Sequence, residues 1–169
     1  VAPVILKELF EIDDSVPLAG YDSPSGKTYA CKNLGEPQGD LMAMICEPGI
    51  PMRMDQITAL DGFPGTGLVK CIDSGVVNWA SSGRRQPVLI FEKPAGSRVF
   101  ETMESVITPL TDDQIISGFL TPAVATLREF ATRGLTHRNI RPSNLFYSDD
   151  SARLIMLGEC VSAPPGYNQ

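Results

Sequence analysis

Between Leu135 and Tyr147 the chain gathers most of the side chains with which it could do chemistry: its single histidine, His137, then Arg138, Asn139, Arg141 and Asn144. A lone histidine can move protons near neutral pH and an adjacent arginine can hold an anion. His137 and Arg138 therefore suggest acid-base chemistry or anion capture, but no serine or cysteine nucleophile motif accompanies them. Cys31, Cys46, Cys71 and Cys160 lie far apart, with no two-residue spacing to suggest zinc or a redox dithiol. With only one histidine a mixed metal site is not expected either, and the four thiols read as free cysteines of a reducing cytoplasm. A net charge of -6 leaves no basic face to neutralise phosphates, which argues against a nucleic-acid partner.

The element that must carry this stretch into place precedes it. Thr111 with Gln114 three residues later forms a capping box, and Asp112 and Asp113 sit where a helix N-terminus favours negative charge. Apolar residues recur at 115, 116, 119, 120, 123, 124, 127, 130 and 131, a stripe expected to bury one face, and Gly134 ends it. Pro122 inside the pattern should bend or break the helix, at a cost of about 3 kcal/mol before packing. Beyond the stretch, Phe146 and Tyr147 enter a hairpin that turns at residues 148–151 and returns through Arg153–Gly158.

The first half of the chain reads as strands. Val4–Phe10 is a first strand ending in a turn at Asp13–Ser15, and Val16–Tyr21 and Lys27–Lys32 form a hairpin around Asp22–Gly26. Leu41–Cys46 is an apolar element of undecided type, and Arg53–Leu60 a short helix with apolar residues at 54, 57 and 60. Gly67–Gly75 and Pro87–Glu92 follow as strands, joined through a polar turn at Ser81–Arg85. No apolar run approaches the roughly 18 residues that a membrane-spanning helix needs, and no signal peptide is visible.

The 135–147 stretch resembles the catalytic loop of the protein kinases. That family's pattern is His-Arg-Asp, a Lys-Pro pair and an Asn opening a short strand, and His137, Arg138, Pro142, Asn144 and Leu145 stand at matching offsets. The resemblance, to a degenerate bacterial-type serine/threonine kinase homologue, implies an α+β kinase-like fold. Residues 1–92 would be its antiparallel small lobe with one helix, 93–97 a hinge, and 98–169 a partial, mainly helical large lobe with a shortened activation segment. In that frame Lys32, ending Tyr29-Ala30-Cys31-Lys32, would be the phosphate-pairing lysine. With Asn144 and Glu92 it would form a nucleotide-binding remnant. His137, Arg138, Arg141, Leu157 and Gly158 would be scaffold.

The same frame implies lost chemistry. Asn139 replaces the carboxylate that accepts the substrate proton, and Met156, aligned with the magnesium-binding aspartate, is a soft neutral side chain that magnesium rejects. The glycine-rich loop is replaced by Ile12–Leu18, which has no glycine and two carboxylates, and Pro94 at the adenine-contacting hinge position has no N-H. The helix glutamate that should pair with the lysine falls near Arg53 or Met54. The expectation is a pseudokinase: a cytoplasmic, non-catalytic signalling or regulatory module with protein partners, no membrane segment, no metal and weak or no ATP-magnesium binding. The alternative is an atypical phosphotransferase or nucleotidyl transferase using ATP and Mg2+, with Glu159 and Asp149 or Asp150 as metal carboxylates.

Overall fold

The computed structural model describes residues 3–36, 39–64, 67–94, 96–101, 104–106, 108–147 and 155–161. Six antiparallel strands form one sheet: β1 (Val4–Leu6), β2 (Phe10–Pro17), β3 (Gly26–Asn33), β4 (Leu41–Cys46), β5 (Cys71–Trp79) and β6 (Arg84–Glu92), in the order β1-β2-β3-β4-β6-β5. The sheet curls until its first and last strands meet. Lys7 pairs with Asp73, and Leu6 lies so close over Gly75 that a Cβ there would stand 2.6 Å from it.

Two local expectations fail and one open element is decided, each for an identifiable reason. The Val4–Phe10 strand is split by a tight turn in which Lys7 and Glu8 adopt positive φ, so β1 and β2 are a hairpin. The polar run Asp13–Ser15 is no turn but an irregularity within β2. Asp13 Oδ1 accepts the Ser15 N-H at 3.0 Å, and the register slips between Asp13 and Pro17. Leu41–Cys46 is the strand β4, buried at every position and flanked by β3 and β6. A strand covered on both faces loses the polar alternation that would identify it, which is why its type could not be read.

The Asp22–Gly26 hairpin turn forms as expected, closed by Ser23 and Gly26, which exchange N-H to O bonds of 3.1 Å. Gly26 is required there because a Cβ would stand 2.3 Å from the Ile45 carbonyl oxygen.

Alternation along β4 divides the core. Leu41, Ala43 and Ile45 face the interior of the curled sheet with Ile12, Trp79 and Ile90. Met42, Met44 and Cys46 face a second core that also takes Leu68, Phe91, Phe130, Leu145, Phe146 and Leu157. Residues on both sides of the expected 93–97 hinge thus share one core.

The helix after Thr111 begins with the capping box as read. Gln114 N-H donates to Thr111 Oγ1 at 3.2 Å, and Thr111 N-H to Gln114 Oε1 at 2.9 Å. Pro122 does not break the helix. The turns before it widen into a π-helical segment, Gln114–Leu120, that continues as α2 (Thr121–Thr132), with Thr121 N-H reaching back to Ile116 O. Gly134, at φ 67°, ends α2 in a Schellman motif: Leu135 N-H donates to Phe130 O and Gly134 N-H to Ala131 O.

Only part of the apolar stripe is buried. Phe119, Ala123, Leu127 and Phe130 join the core, whereas Ile116, Leu120 and Val124 stay exposed on the neighbouring face. A second, three-stranded sheet of β7 (Ser97–Arg98), β8 (Leu145–Tyr147) and β9 (Ile155–Leu157) completes the fold. Among the described residues no helix is long and apolar enough to cross a membrane.

Candidate functional site: the 137–144 loop against residues 158–161

The loop residues are placed by two fixed ends, the Gly134 stop of α2 and the pairing of β8 with β9. That pairing sets Leu145 opposite Leu157, so Gly158 emerges beside Asn144 and its N-H donates to Asn144 O at 2.8 Å. A Cβ on Gly158 would lie 1.8 Å from Asn144 Oδ1, so only glycine lets the Asn144 amide stand there.

Every buried side chain of the loop is directed at this segment. His137, 3% exposed, accepts the Asn139 N-H on Nδ1 at 3.2 Å, which puts its proton on Nε2, 3.1 Å from the Gly158 carbonyl that accepts it. Burial lowers its pKa to about 4 despite the Gly158 hydrogen bond, so the ring is neutral. It stands as a packed, hydrogen-bonded ring beside Phe130, at 5.7 Å between centroids. Asn139 Nδ2 donates to the Glu159 carbonyl at 3.0 Å and to Glu159 Oε1 at 3.2 Å. Asn144 Nδ2 donates to Asn139 O and to Glu159 O, each at 2.9 Å. The other Glu159 oxygen, Oε2, accepts the Val161 N-H at 3.0 Å.

These contacts correct the alignment beyond the loop. Met156, assigned to the magnesium position, is a β9 strand residue packed on the core, and the segment the loop addresses is Gly158-Glu159-Cys160. The offset follows from the β8–β9 register, whose connecting turn at 148–154 lies outside the described residues. Glu159, the metal carboxylate of the alternative reading, lies past the end of β9 and is buried in the site at 5% exposure. Leu157, a scaffold residue in the sequence reading, is fully buried and bonds through its backbone to Gly67 and Val69. Arg138 is exposed at φ 59°, with Nε donating to Thr136 Oγ1, and Arg141 is half-buried at the entrance to the 142–144 turn.

Two residues of the short helix α1 (Met54–Ala59) and its entrance lock onto the same segment, and sequence reasoning missed both. Arg53 donates from Nη1 to His137 O at 3.0 Å and Cys160 O at 2.8 Å, and from Nη2 to Thr136 O at 2.9 Å. Gln56 Nε2 donates to Thr136 O at 2.9 Å and lies 3.3 Å from Cys160 Sγ. In the sequence Arg53 reads only as a residue that cannot pair with a lysine. One signal was available: an arginine in place of a glutamate turns that helix face from an acceptor of cations into a donor to carbonyls.

Lys32 and Glu92 are not brought to the site. Lys32 is exposed on β3, opposite Glu11 in register. On β4 the side chains facing the loop are Met42, Met44 and Cys46, none of them cationic. Glu92 is exposed and lines a separate cavity of about 520 Å³ with Leu60, Phe63 and Lys70.

The space between the six-stranded sheet and β8 is closed by the chain itself. Leu18 and Tyr21, between β2 and β3, pack against this core, and Tyr21 stacks on Phe146 at 5.8 Å and 15°. The Tyr21 hydroxyl donates to Gly96 O, and Arg98 lies over the other aromatic partner, Phe146, while donating to Asp22 O. Backbone donors of the expected hinge are also engaged: Glu92 N-H with Lys70 O and Lys93 N-H with Asp40 O, while Pro94 has none. Ala95 lies outside the described residues.

Around the loop the described residues offer one buried carboxylate, Glu159, which accepts the Asn139 amide and the Val161 N-H.

Comparison with solved structures identifies the fold. Two crystal structures of the Mycobacterium tuberculosis PknI kinase domain resemble the chain. One has a TM-score of 0.71 at 16% identity over 96% of this chain and 64% of that one. The other has a TM-score of 0.67 at 17% identity over 97% and 62%. The chain therefore spans less than two-thirds of the length of these kinase domains. No protein-family model matches the sequence, and no curated protein matches it significantly. The fold is protein-kinase-like.

Proposed function

We propose that this chain acts as a pseudokinase, a non-catalytic regulatory or interaction module of a cytoplasmic signalling protein that binds a protein partner and binds ATP-magnesium weakly or not at all. The observation that carries the reading is the Tyr21–Phe146 stack, which, with Met42 and Met44 beneath it, occupies with the protein's own side chains the space where a nucleotide would enter. Asn139 supports it, because its side chain is a neutral amide, a negligible base at neutral pH, and its Nδ2 is directed at Glu159. A thermal-shift titration with millimolar ATP and magnesium tests it. An unchanged unfolding temperature is expected, and a clear stabilisation overturns the non-binding half.

One observation favours a second reading. Glu159 places a buried carboxylate beside Asn139 and Asn144, the arrangement an atypical phosphotransferase or nucleotidyl transferase would need for ATP and Mg2+. Its second carboxylate, Asp149 or Asp150, lies outside the described residues. Transfer activity that disappears in Glu159→Gln supports this reading, and activity unaffected by that change, or absent from the start, removes it.

A further inference from the structure

The helix that delivers the chain into the loop buries one face and leaves the opposite one apolar. Gly118, Pro122, Thr126 and Phe130 are buried, whereas Ile116, at 57% exposure, and Leu120 and Val124, each at 45%, stand in water on the other side. Scattered exposed apolar residues are ordinary, but three at successive i, i+4 positions form a continuous ridge, and the ridge ends at the exposed Arg128. A second exposed row runs alongside it through Asp113, Ser117, Thr121 and Ala125. The two hydroxyls of that row are already engaged. Ser117 Oγ donates to Asp113 Oδ1 at 3.2 Å, and Thr121 Oγ1 to Ile116 O at 2.8 Å. Beside the ridge there is thus a shallow groove of small, internally satisfied side chains.

The two rows complement each other under one operation. A two-fold axis through the midpoint between Leu120 and Thr121 lays a second copy of the helix antiparallel on the first. Each ridge residue of one copy then falls opposite a groove residue of the other: Leu120 on Thr121, Val124 on Ser117, Ile116 on Ala125, and Arg128 on Asp113. Large meets small at every apolar step, the arrangement in which i±4 ridges seat in facing grooves. Opposite charges meet at both ends. Asp112 adds a carboxylate beside Asp113, and Glu129, next to Arg128 in sequence, is held by Arg133 within its own helix at 2.9 Å. Arg128 has no ion pair of its own among the described residues.

We propose that this face docks a second copy of the chain, the two helices crossing antiparallel at Leu120 and Thr121. The pairing goes beyond the pseudokinase reading and does not depend on it, since none of these residues belongs to the loop. The end charges fix direction and register, while the ridge contacts supply the affinity. One helix face per copy makes a small interface, below about 1,200 Å² in total, so the dimer is transient, with a dissociation constant in the micromolar range or weaker.

Sedimentation equilibrium of the chain from about 1 to about 500 µM, a span that brackets such a dimer, tests the proposal. A reversible monomer–dimer equilibrium is expected. Leu120→Glu, which sets two carboxylates at the axis, should be monomeric throughout. Arg128→Asp and Asp113→Arg should each weaken dimerisation about tenfold, because each places like charges together at both ends. The double variant Asp113→Arg/Arg128→Asp should return to within about threefold of the parent, a recovery that only direct pairing of these two positions produces. Circular dichroism melts at the dilute end of the range, where the parent is monomeric, read folding separately from association. A parent that stays monomeric at the highest concentration overturns the proposal. So does a dimer indifferent to Leu120→Glu, or a double variant that dimerises no more tightly than the single ones.

Discussion

Asn139 Nδ2 donates simultaneously to the backbone carbonyl and the carboxylate of Glu159, at 3.0 and 3.2 Å. The residue that departs from the kinase catalytic pattern is thus the group that hydrogen-bonds a buried carboxyl, and the two positions have to be read together. Changing Asn139 to Asp would set carboxylate against carboxylate at 3% and 5% exposure. The variant Asn139→Asp should therefore lose on the order of 2–4 kcal/mol of stability by urea unfolding and gain no phosphoryl transfer. Detectable transfer of labelled phosphate by this single variant would refute the account.

Arg53 holds α1 to the loop through carbonyls of Thr136, His137 and Cys160. Truncation in Arg53→Ala leaves those carbonyls without their shared donor and should cost roughly 2–4 kcal/mol. Arg53→Lys should recover less than half of that loss, since an ammonium cannot reproduce the planar fork. Chemical denaturation of the three proteins decides it, and a fully restored midpoint in the lysine variant would contradict the geometry.

His137 gives a pH signature. Its pKa of about 4 in the folded protein lies below the unfolded value of 6.5, so the unfolded chain binds the extra proton first as pH falls. The contribution is present above pH 6.5 and is lost between there and about pH 4, in total on the order of 3 kcal/mol. Thermal melts from pH 7.5 to 4.5 should fall more steeply for the parent than for His137→Gln. Parallel curves would show that the ring does not titrate as described.

Gly158 has no room for a side chain, with Asn144 Oδ1 1.8 Å and Asn144 O 2.8 Å from where a Cβ would be. Gly158→Ala must displace the Asn144 amide from the Asn139 and Glu159 carbonyls it serves. A loss of about 2 kcal/mol or more is expected by equilibrium unfolding, whereas Gly39→Ala, with nothing within 4 Å, should be near neutral.

All four cysteines are free and three are buried. Burial pushes the Cys46 and Cys160 thiols up to about 12, with the nearby Glu159 charge adding to it, and Cys31 up to about 11. A thiol reagent at pH 8 should label these three only after denaturant is added, because the thiolate is the reactive form. Rapid labelling of the native protein would mean that the core opens.

The sequence by itself determined the features whose energetics are local. The Thr111–Gln114 capping box, the Gly134 stop and the Asp22–Gly26 turn each depend on hydrogen bonds and φ angles within a few residues, and each formed as read. The loop's likeness to a kinase catalytic loop was legible because its residue types and offsets are themselves local. Only the tertiary structure decided that Leu41–Cys46 is a strand between β3 and β6, since it is buried on both faces and carries no alternation to announce its pairing. Met44, not Lys32, faces the core that the loop residues join. The β8–β9 register likewise decided between Met156 and Glu159, and the approach of Tyr21 to Phe146 spans more than a hundred residues. Such contacts are set by which apolar faces must cover one another when the whole chain is collapsed, and no short window of sequence contains that competition.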